Sequence, residues 1–177
     1  MAGCSFLVVP IFTSLLTIGL FHFLGLAVAK YQPGIELTVV SDSYLAGAKK
    51  ELDRMHLEKY TCIFCKHRMY RVAAAYANKI GAKGIVTGES LGQFASQTLD
   101  NLIVLTDAVE IPINHPLIGF DKEEIVMIAR EIGTFEQSTS HASGCKAVPK
   151  GPSTKANLDT IREIENKLEA IEIPLPL

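Results

Sequence analysis

The first 29 residues contain no Asp, Glu, Lys or Arg, and all 36 charged side chains of the 177-residue chain lie from Lys30 onward. A charge-free run of this length has two physical homes, a bilayer or the doubly covered middle of a parallel sheet. It exceeds the roughly 20 apolar residues that span a membrane, so a transmembrane helix is a genuine rival. Pro10, three glycines, His22 and several Ser and Thr oppose one unbroken helix. No charged residue precedes the apolar run, as a secretory signal would require. The run divides at Pro10. Residues 5–9 read as a buried strand, and residues 13–31 as a helix that is apolar nearly all round. Cys4 and His22 fall within these pieces and read as core.

Composition narrows the class. Hydrophobic residues make up 48% and charged residues 20%, which excludes wholesale disorder. A net charge of −2 and a pI near 6.2 exclude a chain that coats nucleic acid by charge alone. Four cysteines are too few for a disulfide-built secreted scaffold. A cytoplasmic protein is expected, with no membrane partner.

From Gly34 onward the chain alternates strand and helix. GIELTVVSD is rich in β-branched residues and predicts a strand. YLAGAKKELDRMHLEKY predicts an amphipathic helical or irregular piece. The spacing over Lys66–Ile80 predicts a helix with Met69, Val72, Ala73 and Tyr76 on one face and Gly81 as its stop. KGIVTG predicts a short buried strand, LGQFASQTLDNL contains a helix, and VEIPINHPLIG an extended piece. Asp121 with Glu124 three residues on is a capping-box pattern, and Gly133 closes that helix. A last helix is expected over Thr154–Ala170, ended by the proline-bearing tail. This alternation predicts an α/β domain around a mainly parallel sheet, as one domain over residues 1–177.

Ligands of such sheets bind at the carboxyl ends of strands. The sequence there is IVTGESLGQFASQT, residues 85–98. Gly88 and Gly92 let backbone approach a ligand, Glu89 brings a carboxylate, and Gln93 and Gln97 bring amides suited to base or ribose recognition. An ordinary polar turn before a surface helix is the plain alternative. A second cluster is Cys62-Ile63-Phe64-Cys65-Lys66 at a helix start, where the positive end of the dipole favours thiolate. This fits a redox pair, a persulfide carrier or half of a metal site. Zinc would need Cys145 plus His67 or His141 as well, whereas Cys62, Cys65 and Cys145 with an open position would suit an iron–sulfur cluster. Two packed core cysteines are the plain alternative. Lys66, His67, Arg68 and Arg71 form no single stripe and read as a solvated basic face, with Lys66 placed to meet phosphate. His56, His115 and His141 read as surface or turn residues.

Three blocks in order carry a resemblance: CIFCKHRMYRVAAAYANKIGAKGIVTGESLGQFASQTLDNL, HPLIGFDKEEIVMIAREIGTFE and CKAVPKGPSTKANLD. Over roughly residues 60–160 the chain resembles the C-terminal part of the tRNA 4-thiouridine sulfurtransferase family. The resemblance implies a PP-loop ATP pyrophosphatase fold of the adenine-nucleotide α-hydrolase type, doubly wound around a mainly parallel sheet. It implies ATP with Mg, adenylation of a tRNA uridine at its C4 oxygen, and displacement of AMP by persulfide sulfur. Sulfur supply for thiamine thiazole belongs to the same family. Lys66, Gly88 and Gln97 match its nucleotide-contacting positions, with Glu89 and Gln93 in the same string. Cys62 and Cys65 match the archaeal-type C-x-x-C implicated in sulfur handling, and Cys145 a cysteine common near the end of the domain. Implied partners are tRNA and a cysteine desulfurase or other sulfur donor; a homodimer stays open.

The Ser-Gly-Gly-x-Asp-Ser loop that grips pyrophosphate in this family is not in the sequence. MAGCSFLVV resembles the segment just after it. The expectation is an N-terminally truncated sulfurtransferase domain without first strand, tRNA-binding domains or rhodanese-like domain, and with weak ATP binding on its own. A non-catalytic remnant that binds nucleotide or a partner, and an iron–sulfur module, are the alternatives.

Overall fold

The structure is a computed structural model that describes residues 6–8, 25–40, 44–139 and 147–168. Cys4, His22, His141, Cys145 and the proline-bearing tail lie outside the described residues, as does most of the expected helix over 13–31, of which residues 25–29 are helical. The chain divides into two compact units.

The first unit comprises residues 1–41 and 121–145 together with Pro176. Strand β1 (Phe6–Val8) pairs in parallel with β2 (Leu37–Val39), with Phe6 opposite Leu37 and Val8 opposite Val39. The apolar run after Met1 therefore enters a parallel sheet, and no helix among the described residues is long and apolar enough to cross a membrane. The helix following Asp121 forms as its caps dictate. The Asp121 carboxylate accepts from the Glu124 amide at 2.9 Å, and the Glu124 carboxylate accepts from the Asp121 amide at 2.8 Å. Gly133 closes the helix with φ +73°, a conformation that favours glycine.

The second unit, residues 42–120 and 146–175 together with Leu177, holds the functional blocks. Helix α1 (Tyr44–Arg54) leads through a 3₁₀ turn at Glu58–Tyr60 into α2 (Thr61–Ile80). Strand β3 (Ile85–Val86) pairs in parallel with β4 (Ile113–Asn114), and α3 (Leu99–Thr106) lies between them in sequence. The unit's last helix is Leu158–Leu168. Its core collects Leu52, Ile63, Phe64, Leu105 and Ile161, each 1% exposed or less. Burying side chains of this size stabilises by roughly 1.5–3 kcal/mol each.

Four expectations are corrected here. Helix α2 begins at Thr61, five residues before Lys66, because Thr61 Oγ1 donates to the Glu58 carbonyl at 2.7 Å and the 3₁₀ turn feeds the helix directly. The C-x-x-C pair therefore lies inside the helix. Its buried residues are Thr61, Ile63, Phe64, His67, Arg68, Tyr70, Val72 and Ala77, whereas Met69, Ala73 and Tyr76 are half-buried. Elements pack on more than one side of α2, so a single amphipathic stripe does not describe it. The reading of His67, Arg68 and Arg71 as a solvated face also fails. His67 and Arg68 are 2% and 5% exposed, and Glu165 on the last helix meets His67 Nδ1 at 2.6 Å and the Arg71 guanidinium at 3.0 Å. Finally, the last helix starts at Leu158 because residues 153–156 are bonded to other partners, while the Asn157 side chain accepts from the Thr160 amide at 3.0 Å at the helix start.

Candidate nucleotide and sulfur-transfer site

The parallel register of β3 and β4 fixes which loops meet. The Thr87 amide donates to the Asn114 carbonyl at 3.0 Å, so the chain after β3 and the chain after β4 leave the sheet side by side. Thr87, Gly88, Glu89 and Ser90 follow the first strand, and His115 follows the second. Glu89 is 5% exposed and gathers the cluster. Lys66 Nζ lies 3.3 Å from its Oε1, and His115 Nδ1 lies 3.1 Å from its Oε2. Thr87 Oγ1 sits 2.6 Å from the same His115 nitrogen. Ser90 Oγ donates to the Phe120 carbonyl at 2.6 Å and pins the loop behind Glu89.

Burial alone would push the Glu89 carboxyl up. The Thr87 and Tyr70 hydroxyls beside it and the charge of Lys66 outweigh that, so the group is held below its ordinary value and stays ionised. The Tyr70 phenol moves the other way, raised by burial and then by the Glu89 carboxylate beside it, and stays neutral. Its hydroxyl makes no bond of good geometry among the described residues.

Helix α2 delivers these groups by its period. Cys62, Lys66 and Tyr70 recur every four residues and so follow one edge of the helix. The lower two meet Glu89, and Cys62 stands one turn above them in the first turn of α2, at the positive end of its dipole. Cys65 is one turn from Cys62. Both thiols are half-buried and neither is in a disulfide.

Downstream, Gly92 adopts φ +78° and its amide donates to the Gln97 carbonyl at 2.9 Å, folding residues 92–97 into a compact turn. Gln97 is 7% exposed, and its Oε1 is buried with no hydrogen-bond partner among the described residues. A buried unpaired carbonyl costs about 1–3 kcal/mol. Gly88 and Gln93 are exposed. Lys66 and Glu89 are thus brought together, Gln97 lies in the turn that follows, and Gln93 stands exposed within that turn.

His115 was expected to serve a surface or turn role, and it is instead bonded into the cluster. Its place follows from strand pairing: it stands immediately after β4, which pairs in parallel with the strand before Thr87. Among the described residues, no group of three His, Cys, Asp or Glu could hold a metal ion.

The fold and this cluster define a parallel α/β domain with a charged, hydrogen-bonding site at the carboxyl ends of its strands. The family model of the thiamine biosynthesis protein ThiI matches residues 3–170, and the chain belongs to that family. A probable tRNA sulfurtransferase of Methanobrevibacter smithii is 52% identical over 118 residues, 65% of this chain and 31% of that protein. One from Thermococcus kodakarensis is 45% identical over 137 residues, 76% of this chain and 36% of that protein. A solved 4-thiouridine synthetase, crystallised with RNA and bound ATP, covers 94% of this chain and 44% of its own at 32% identity, with a TM-score of 0.81. The chain thus has the α/β fold of that enzyme and spans about a third of the length of the curated relatives it matches.

Proposed function

We propose that this chain is the nucleotide-activating and sulfur-transferring part of a tRNA 4-thiouridine sulfurtransferase. The observation that carries the reading is the helix edge on which Cys62 precedes Lys66 and Tyr70, with the latter two meeting the buried Glu89. It sets a thiol one turn from a cation anchored at the carboxyl end of a parallel sheet. The RNA and ATP of the solved relative support the same substrates here.

The uridine O4 attacks the α-phosphorus of ATP, pyrophosphate leaves, and C4 becomes electrophilic; Mg arriving with the nucleotide would shield its phosphate charge. A cysteine persulfide, loaded by a desulfurase-type donor, attacks C4, and AMP departs with the former O4. A second thiolate cleaves the resulting S–S bond, releasing 4-thiouridine and leaving a protein disulfide that a dithiol reductant reopens. Lys66 holds phosphate charge, Gly88 admits it to the backbone, Glu89 orients Lys66, and Gln97 reads the base. Gln93 contacts the nucleotide only if the exposed turn closes. Cys62, Cys65 and Cys145 are the sulfur carriers. The same sulfur supplies thiamine thiazole. The pyrophosphate-gripping loop comes from a separate segment or chain.

The test pairs this chain with a polypeptide carrying that loop and the tRNA-binding part. Cys62→Ser and Cys65→Ser are each expected to lower 4-thiouridine formation by about a hundredfold or more, while leaving ATP–pyrophosphate exchange within about twofold. Full thiolation by both variants removes the sulfur role. An iron–sulfur site on Cys62, Cys65 and Cys145 would instead show as iron and visible absorbance in anaerobically purified protein.

A further inference from the structure

Asn101 has no exposed surface, yet its side chain bonds to two other stretches of chain. Its Nδ2 donates to the Ala95 carbonyl at 2.7 Å and to the Ser153 carbonyl at 2.8 Å, and its Oδ1 accepts from the Ala156 amide at 2.8 Å. Both amide donors are used, so the side chain is nearly saturated. Next to it Thr98 Oγ1 accepts from the Asn101 amide at 3.3 Å, capping α3, and donates to the Thr154 carbonyl at 2.6 Å. The strap so held, residues 153–156, also reaches the other way: the Ser153 amide donates to the Lys59 carbonyl at 2.9 Å, two residues before α2 begins.

One side chain therefore joins the base of the thiol-bearing helix to the turn that carries Gln97. Ala95 opens the 3₁₀ turn Ala95–Gln97, and its carbonyl has Asn101 as partner. The Gln97 Oε1 is buried with no partner of its own among the described residues, so its direction depends on the backbone that Asn101 fixes.

We propose that Asn101 is a positioning residue for the reaction above, holding the Gln97 turn and the base of α2 in one register through residues 153–156. The proposal rests on the nucleotide reading of the preceding section. Without the Asn101 amide the Ala95 carbonyl loses its donor, the Gln97 amide is no longer aimed, and discrimination between nucleobases falls before affinity for the phosphates does. An aspartate cannot replace it, since its oxygens would face the Ala95 and Ser153 carbonyls.

Calorimetric titration of the full chain with ATP and with GTP tests this. The wild-type chain is expected to prefer ATP by at least about tenfold, and Asn101→Ser to reduce the preference to within about threefold. Ile161→Val is the control: Ile161 is equally buried and its side chain makes none of the strap's hydrogen bonds, so this variant lowers the melting temperature and keeps the wild-type preference. Thr98→Val, which loses one strap bond, falls between. An Asn101→Ser chain with the wild-type ratio, or an Ile161→Val chain shifted as far, overturns the proposal. ATP binding without base preference in the wild type overturns it alone, whereas no ATP binding also sinks the nucleotide reading. If Asn101→Ser does not fold, an unchanged ratio in Thr98→Val overturns it.

Discussion

Glu89 shows how one buried carboxylate organises a site whose other members lie far away in sequence. Lys66 comes from 23 residues upstream and His115 from 26 residues downstream. Its depressed pKa ties this cluster to pH. A carboxylate whose folded pKa is lowered contributes stability above its unfolded value, here 4.5, and loses that contribution as pH falls through the depressed value. The stability difference between wild type and Glu89→Gln should therefore stay constant from neutral pH down to about 5 and shrink below 4.5, as read by denaturant midpoints across that range. A difference that persists unchanged at pH 3.5 would place the stabilisation elsewhere, outside the ionised carboxylate. Glu89 and Lys66 were singled out from residue type and local position, and the structure sets them 3.3 Å apart. His115 was not, because its partner is set by strand pairing, which a single sequence does not display. His67 and Arg68 looked like surface charge for the same reason: the carboxylate that accompanies His67 inward is Glu165, near the other end of the chain.

At the scale of elements, caps were the most readable signals and boundaries the least. The capping box at Asp121 and Glu124 formed as written, since every group in it lies within four residues. The start of α2 moved because Thr61 finds its acceptor in a 3₁₀ turn that composition does not announce. The end of α1 carries a feature the sequence hides altogether. His56 adopts φ +58°, its amide donates to Asp53 at 3.2 Å, and the Leu57 amide donates to Leu52 at 2.8 Å. This is the Schellman pattern with a histidine where glycine is usual. Leu52 is fully buried and Leu57 packs on the same core, which holds the turn in place. His56→Gly should stabilise the protein by about 1 kcal/mol, because a left-handed conformation costs a non-glycine residue about that much. Urea unfolding measures it directly, and a destabilised variant would show that the imidazole itself carries packing that outweighs the backbone term.

For the molecule as a whole, family membership and the parallel α/β fold were both legible from three sequence blocks, and the structure and its relatives agree with them. What the blocks did not reveal is that they are stitched to one another by Asn101 and the strap at 153–156. The sulfurtransferase reading makes a prediction at this scale. ATP should bind this chain alone only weakly, and a polypeptide supplying the pyrophosphate-gripping loop should tighten binding by at least about tenfold. Calorimetry with and without that polypeptide decides it; equal affinities would mean that the loop is not what the site lacks.

The link between Glu165 and helix α2 has a consequence for the order in which the protein is made. Arg71 is synthesised 94 residues before the carboxylate that balances it, and Lys59 and Asn101 likewise wait for residues 153–156. While the ribosome is still working, the thiol-bearing helix has neither its counter-charge nor its strap, and its buried histidine lacks its carboxylate neighbour. Closing so long a loop is slow compared with forming the helix itself. Until residue 165 has been made, helix α2 therefore carries its two cysteines without the Arg71–Glu165 pair and the strap that complete its surroundings in the fold.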